Sequence, residues 1–273
     1  MNTHGDTSDL GASLRPLLRT EAWGHAYRYY GSVSSTNDVA AAWAQAGAPE
    51  GAVVGADYQE HGRGRLGRHW AGEPGQNLMC SVILRPRLGA ATLSLLPLAA
   101  ALGMVEGLSR WVDASRLQIK WPNDVLLDGA KVCGILTEAT WRGDAEAQEV
   151  VLGWGLNVNQ AAFPSGLAAI SLRCALGHWV DRAPLWADLL AAQEQRYLGL
   201  HTDAGPQALQ AAYEPWLWQR GARVRLYTAE GGPLVEGRLV GVDSGGALRL
   251  ATDVGLRTFH AAEVSFRDQP ASR

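Results

Sequence analysis

An excess of basic charge is absent from this sequence. Its 273 residues carry 24 lysines and arginines against 27 aspartates and glutamates, a formal net charge of −3. That opposes a dedicated nucleic-acid-binding protein, which is usually basic overall. Cysteine is scarce: Cys80, Cys133 and Cys174 are scattered, with no CxxC pair and no Cys/His spacing suited to zinc. A disulfide framework and a structural zinc site are therefore not expected, and free thiols in a reducing cytoplasm are the simplest reading. No uninterrupted run of about eighteen apolar residues occurs, as a membrane span would need. Residues 1–20 also lack the apolar segment of a signal peptide. The expectation from these absences is a cytoplasmic protein with no membrane association.

Hydrophobic residues make up 47% of the chain and charged ones 19%, enough for a sizeable core. Residues 1–20 read as a loosely attached tail. From 21 to 219, β-like runs at 52–59, 77–85, 116–121, 131–140 and 149–158 mix with helical stretches at 36–47, 92–111, 184–200 and 206–218. Strands arrive mostly in a block with helices between and after, which predicts an α+β fold with a mixed β-sheet covered by helices. Pro97 is expected in the first turn of the long apolar helix. From 220 to 273 the pattern changes to short alternating runs between turns at Gly231–Gly232 and Gly245–Gly246. That predicts a small antiparallel barrel, marginal alone at roughly fifty residues and so packed on the larger domain.

Four short segments carry candidate chemistry. "QEHGRGRLGRHW" (59–70) places Arg63, Arg65 and Arg68 among Gly62, Gly64 and Gly67. The glycines let the backbone approach a ligand, and the forked guanidiniums suit carboxylate or phosphate. It is neither a Walker A loop nor a Rossmann fingerprint. Alone, it is equally a solvated basic turn. "KWPND" (120–124) turns sharply after a strand, with Lys120 and Asp124 flanking the turn and Lys131 following the Asp128-Gly129 turn. "SSTN" (34–37) opens a helix, where Ser35 or Thr36 can cap and where free N–H groups can receive a polar ligand. "GWGLNVN" (153–159) sets Gly153 and Gly155 in a strand, which marks either a bulge or a close approach.

Taken together, the order and spacing of STN, GRGRLGRHW, KWPND, the Lys-x-x-Gly-Ile-Leu segment and GWGLN closely resemble the biotin–protein ligase family. The resemblance covers about residues 30–160, and the C-terminal segment matches that family's small SH3-like domain in position and type. It implies a catalytic fold shared with lipoate–protein ligases. It also implies an ATP-dependent activation of biotin as biotinyl-5′-AMP and transfer to a specific lysine of the biotin carboxyl carrier protein of acetyl-CoA carboxylase. Biotin and ATP are then substrates, with Mg²⁺ required.

Carried over residue by residue, the resemblance gives Ser35, Thr36, Asn37, Gln59, Gly62, Arg63, Arg65, Lys131, Gly134, Gly153 and Gly155 to biotin. It gives Arg63, Arg65, Arg68, Trp70, Lys120, Asn123, Asp124 and Asn157 to ATP or the adenylate, with Trp70 near the adenine. Arg63, Lys131 and Lys120 are the expected catalytic residues, with Arg63 bridging the biotin carboxylate and the α-phosphate. Metal ligands are not assigned.

Two departures stand out: Ser34 replaces the usual Asp before STN, and Trp154 sits between the two glycines, where it either narrows the pocket or turns away. Only 34 residues precede Ser35, without two clear helices and a turn. The expectation is a ligase without the DNA-binding helix-turn-helix of bifunctional members, hence without DNA binding, and homodimerisation stays open. The rival readings are a lipoate–protein ligase-type acyl-adenylate transferase and, from another class, a nucleic-acid-binding regulator.

Overall fold

Alternating side chains sort the strands of this chain onto two differently used faces. The computed structural model describes residues 10–141, 147–228, 232–261 and 264–266. The chain begins with α1 (Leu10–Leu14), β1 (Tyr27–Tyr30), α2 (Thr36–Gln45), β2 (Val53–Ala56) and β3 (Leu78–Leu84). It continues through α3 (Ala90–Leu93), α4 (Leu96–Leu108), β4 (Leu117–Lys120), β5 (Asp124–Leu127), β6 (Ala130–Trp141) and β7 (Ala147–Leu156). Next come α5 (Leu172–Leu176), α6 (Arg182–Gly199) and α7 (Gly205–Tyr213). The chain closes with β8 (Arg223–Thr228), β9 (Pro233–Val242), β10 (Leu248–Thr252), β11 (Gly255–Phe259) and β12 (Val264–Phe266).

The first seven strands form one mixed sheet in the order β1-β2-β3-β7-β6-β5-β4. Only β1 and β2 run parallel; the other pairs are antiparallel. The last five form an antiparallel sheet in the order β11-β10-β9-β8-β12. The α+β expectation holds, with helices on the first sheet and a separate small all-β unit.

Cys80, Val82 and Leu84 of β3 and Leu152, Trp154 and Leu156 of β7 point into the main core with α4 and α6. Trp154 therefore turns away from the site face and is buried in that core. The stretch Ala90–Leu108 is long and apolar enough by composition to cross a membrane, yet most of it is buried inside the fold. It is a core segment, and Pro97 does sit in the first turn of α4. The single helix expected over 92–111 is in fact two, α3 and α4.

On the opposite face, Ile83 and Val151 meet Ala40 and Ala44 of α2. Small residues there let α2 lie close to the sheet. They leave the remainder of that face, around Gly134, Gly153 and Gly155, to the functional site.

The expected loose tail is corrected from residue 10 onward. Leu10 and Leu14 are buried, the second completely, in the main core. The segment after them is tied down by Glu194, whose carboxylate accepts the N–H groups of Glu21 (2.7 Å), Ala22 (2.8 Å) and Trp23 (2.9 Å). Three N–H donors meet the acceptor capacity of a charge that is 2% exposed. Residues 1–9 lie outside the described residues.

Candidate active site

Nearly all the candidate residues line one cavity of about 490 Å³ on the α2 side of the large sheet. Its floor is β6 and β7. Its roof is the 60–70 loop, and its sides are the α2 N-terminus, the 120–124 turn and residues 163–169.

The α2 end of the cavity is a dense polar cluster. Ser35 occupies the N-cap position but its side chain makes no capping bond. The cap comes from 23 residues away: Gln59 Oε1 accepts from Thr36 N–H at 2.7 Å and from the Thr36 hydroxyl at 3.0 Å. The capping expected of Ser35 or Thr36 is corrected accordingly. The Asn37 amide accepts from Ser81 Oγ at 2.6 Å and donates to Glu138 Oε2 at 2.6 Å. Gly153 makes room for it, since a Cβ at 153 would stand 2.0 Å from Asn37 Oδ1. Ser34 is exposed and contributes its backbone carbonyl to His61 N–H at 2.9 Å.

The 60–70 loop is a small hairpin. Trp70 N–H bonds Gly62 C=O at 2.8 Å and Gly64 N–H bonds Arg68 C=O at 2.7 Å. Its tip is a 3-10 turn in which Leu66 (φ 57°) and Gly67 (φ 70°) take left-handed conformations. Leu66 is 55% exposed there. Gly62 does not line the cavity; its lack of a side chain admits the Trp70 carbonyl, 2.5 Å from where a Cβ would sit. The Trp70 indole lies over the floor, 2.5 Å from a Cβ at Gly155 and 3.1 Å from one at Gly134. That is the place the sequence resemblance gave to the biotin ring.

The three arginines of the loop go to different places. Arg63 pairs with Asp38 at 2.7 Å and with Glu138 at 3.1 Å. Its hydrogen bond to Asp38, reinforced by Glu138, raises its pKa further. Arg65 reaches Asn123 Oδ1 at 3.3 Å and the carbonyl of Ala261 in the small domain. Burial pulls the Arg65 pKa below its ordinary value, and the charge of Asp124 opposes that shift. Arg68 is exposed on the cavity wall.

The 120–134 segment supplies the opposite wall. The Trp121–Pro122 peptide bond is cis, and Trp121 Nε1–H bonds the Gly246 carbonyl at 2.9 Å, which anchors the turn to the small domain. Asn123 Nδ2 donates to the Ile135 carbonyl at 2.8 Å. Asp128 (φ 52°) and Gly129 (φ 77°) make the tight turn between β5 and β6, as two adjacent positive-φ residues do in a type I′ hairpin. Beyond it Lys131 Nζ pairs with Asp124 Oδ1 at 2.6 Å and stands 5.5 Å from the Trp70 ring centroid. Lys120 Nζ lies 4.9 Å from the Trp218 ring centroid.

Asn157 lines the cavity, but its Nδ2 donates to the carbonyls of Ile170 (3.2 Å) and Lys131 (3.4 Å). Its amide nitrogen thus fastens the 161–171 loop to the start of β6.

Asp38 and Glu138 were not anticipated from the sequence. Gln160, Phe163 and Leu167, which close the far side of the cavity, were also missed. Among the described residues no group of three His, Cys, Asp or Glu side chains is arranged to hold a metal ion. Burial pushes the thiols of Cys80 and Cys133 far up, so neither is a nucleophile at neutral pH. What the cavity offers is positive charge, amide donors and a flat glycine floor.

A model of the "Biotin/lipoate A/B protein ligase family" matches residues 29–157, and one of the "Biotin protein ligase C terminal domain" matches residues 221–267. The bifunctional ligase/repressor BirA of Bacillus subtilis is 36% identical over 259 residues, 93% of this chain and 78% of that protein. The chain belongs to the biotin–protein ligase family. The biotin--[acetyl-CoA-carboxylase] ligase of Paracoccus denitrificans is 37% identical over 227 residues, 79% of this chain and 90% of that one. Among solved structures, the Aquifex aeolicus biotin protein ligase in complex with biotin and ATP aligns with a TM-score of 0.76 at 26% identity. That alignment covers 90% of this chain and 100% of the Aquifex chain. The family resemblance read from these motifs, and the fold it implied, are thus established.

Proposed function

We propose that this chain activates biotin with ATP and passes the biotinyl group to one lysine of the biotin carboxyl carrier protein of an acetyl-CoA carboxylase. The observation that carries this reading is the convergence of Arg65, Arg68, Lys120 and Lys131 around one cavity with a glycine floor. A biotin-binding module without adenylation chemistry has no need of so many cations.

In the first step a carboxylate oxygen of biotin attacks the α-phosphorus of ATP, the bond to the β-phosphate oxygen breaks, and pyrophosphate leaves. The two reactants are both anions, so the site must neutralise them where they meet. Lys131 is best placed for that, because Asp124 and the Trp70 face hold its ammonium beside the floor. Arg65 and Arg68 face the phosphates from the loop, and Lys120 faces them from the turn. Magnesium arrives with the nucleotide. Asp124 is the one carboxylate on the cavity wall among the described residues. That suits a metal held mainly by phosphate oxygens and water.

In the second step the carrier lysine, as a neutral amine, attacks the biotinyl carbonyl, the bond to the AMP oxygen breaks, and a proton is released. No side chain of this site serves as a covalent nucleophile; orientation and charge do the work. Ser35, Thr36, Asn37 and Gln59 bind the polar end of the biotin ring. A ring seated on Gly134 and Gly155 displaces the Trp70 indole, so binding moves the end of the loop.

The cytoplasm, an absence of DNA binding and homodimerisation belong to the same proposal. Sedimentation and a salt-dependent DNA titration test the last two. Biotin-dependent exchange of labelled pyrophosphate into ATP, with lipoate run in parallel, tests the chemistry. Exchange with biotin alone supports the reading, and exchange with lipoate alone would replace it by the lipoate ligase.

A further inference from the structure

Arg63 does not hang free above the cavity. Its guanidinium spans three elements, joining the 60–70 loop to Asp38 in the first turn of α2 and to Glu138 on β6. Neither carboxylate lines the cavity, so they hold Arg63 against its α2 wall. The Glu138 carboxylate also receives the Asn37 amide at 2.6 Å, and that amide is fixed on its other side by Ser81. A continuous polar chain thus runs Ser81–Asn37–Glu138–Arg63–Asp38, from the sheet beneath the pocket to the loop above it. Period-two alternation puts Gly134, Leu136 and Glu138 of β6 on the site face together. Glu138 therefore continues the cavity floor beyond the cavity itself.

We propose that Asp38 and Glu138 are positioning residues for the ligase reaction, a two-carboxylate latch that closes the 60–70 loop through Arg63 and, at Glu138, couples loop closure to the orientation of Asn37. The assignment moves Arg63 from the phosphate to the latch and leaves phosphate neutralisation to Arg65, Arg68, Lys120 and Lys131. Two acceptors on one guanidinium have a physical rationale. The planar fork bonds both carboxylates at once, whereas either alone would be a single solvent-exposed pair. Glu138 gains a second role because one of its oxygens serves both partners. Oε2 is 2.6 Å from Asn37 Nδ2 and 3.1 Å from Arg63 Nη2. The proposal rests on the cavity being the biotin and adenylate site, but the latch itself is a property of the free protein.

The test is hydrogen exchange across residues 60–70, read by mass spectrometry on the full chain without ligand, in the native protein and in Asp38→Asn, Glu138→Gln and Glu138→Ala. An exposed ion pair at the strong end of the usual range changes loop opening by about fivefold. Each variant is expected to speed exchange of the Gly64 and Trp70 amides by about that factor. The acceleration in the native protein on raising salt should disappear in a combined Asp38→Asn/Glu138→Gln variant, which a merely structural role would not cause. Biotin titration then separates the two functions of Glu138. Glutamine keeps a neutral acceptor for Asn37, so Glu138→Gln should lose less biotin affinity than Glu138→Ala. Exchange at native rates in all three variants would overturn the latch, whatever the ligand. Accelerated exchange in the variants, with a native protein that fails to bind biotin, would uphold the latch and overturn the substrate reading instead.

Discussion

Replacing Gly153 by alanine tests the tightest contact in the site. The added Cβ would lie 2.0 Å from Asn37 Oδ1, 2.8 Å from its Cγ and 3.0 Å from its Nδ2. The three nearest atoms belong to one side chain, and that side chain is bonded at both ends, to Ser81 and to Glu138. The methyl group therefore expels the amide. Overpacking of this kind costs about 1–3 kcal/mol, and each hydrogen bond forfeited adds about 1 kcal/mol, more for the one to a carboxylate. The expected loss of stability is about 2–4 kcal/mol.

Asn37→Ala alone should cost about 1–3 kcal/mol through the unpaired Ser81 and Glu138 groups. Because Asn37 is the clash partner, the double variant should cost hardly more than Asn37→Ala alone, a favourable coupling of about 2–4 kcal/mol, nearly the whole cost of Gly153→Ala. Urea denaturation followed by tryptophan fluorescence supplies the three differences. Additivity within about 0.5 kcal/mol would refute the reasoning, because the alanine would then be clashing with something other than Asn37.

Gly155→Ala should unseat Trp70, whose indole stands 2.5 Å from the new Cβ; a fluorescence difference spectrum that vanishes in a Trp70→Phe background checks it. Lys131→Ala removes the partner of Asp124 and a cation beside the reacting anions. Biotin-dependent pyrophosphate exchange should fall by about a hundredfold or more, and native exchange would remove Lys131 from the mechanism. Arg63→Ala opens the loop at one end, so biotinyl-5′-AMP should dissociate faster, by rapid dilution and chase, while pyrophosphate exchange falls less than in Lys131→Ala. Leu14→Ala should lower stability by about 2–5 kcal/mol, the usual cost of truncating a fully buried leucine; an unchanged melting temperature would return residues 10–20 to the status of a loose tail.

The extended runs that became β2, β3, β4, β6 and β7 were legible because β-branched residues alternate in them or fill them. β1 was not: Tyr27–Tyr30 is four residues long, and its strand character depends on Val53–Ala56 beside it. The helix Leu10–Leu14 is too short to show a period; docking of its two leucines on the core fixes it. The cap on α2 was misread for a related reason, because its acceptor, Gln59, is remote in sequence.

At the site, the glycines, arginines and lysines announced themselves by their spacing. Asp38 and Glu138 did not, since each looks like an ordinary polar residue of its helix or strand. Glu138 could have been found by counting in twos along β6 from Gly134. Trp154 was ambiguous in the sequence and is resolved by the same count along β7, which sends it to the core and its two flanking glycines to the site.

The account stands on acyl-adenylate formation in this cavity. The most direct test is native mass spectrometry of the protein after incubation with biotin and MgATP, followed by addition of a biotin carboxyl carrier domain. The expected result is a protein carrying one non-covalent biotinyl-5′-AMP, which disappears as the carrier gains one biotinyl group on a single lysine. A protein that binds no adenylate and leaves the carrier unmodified would contradict it.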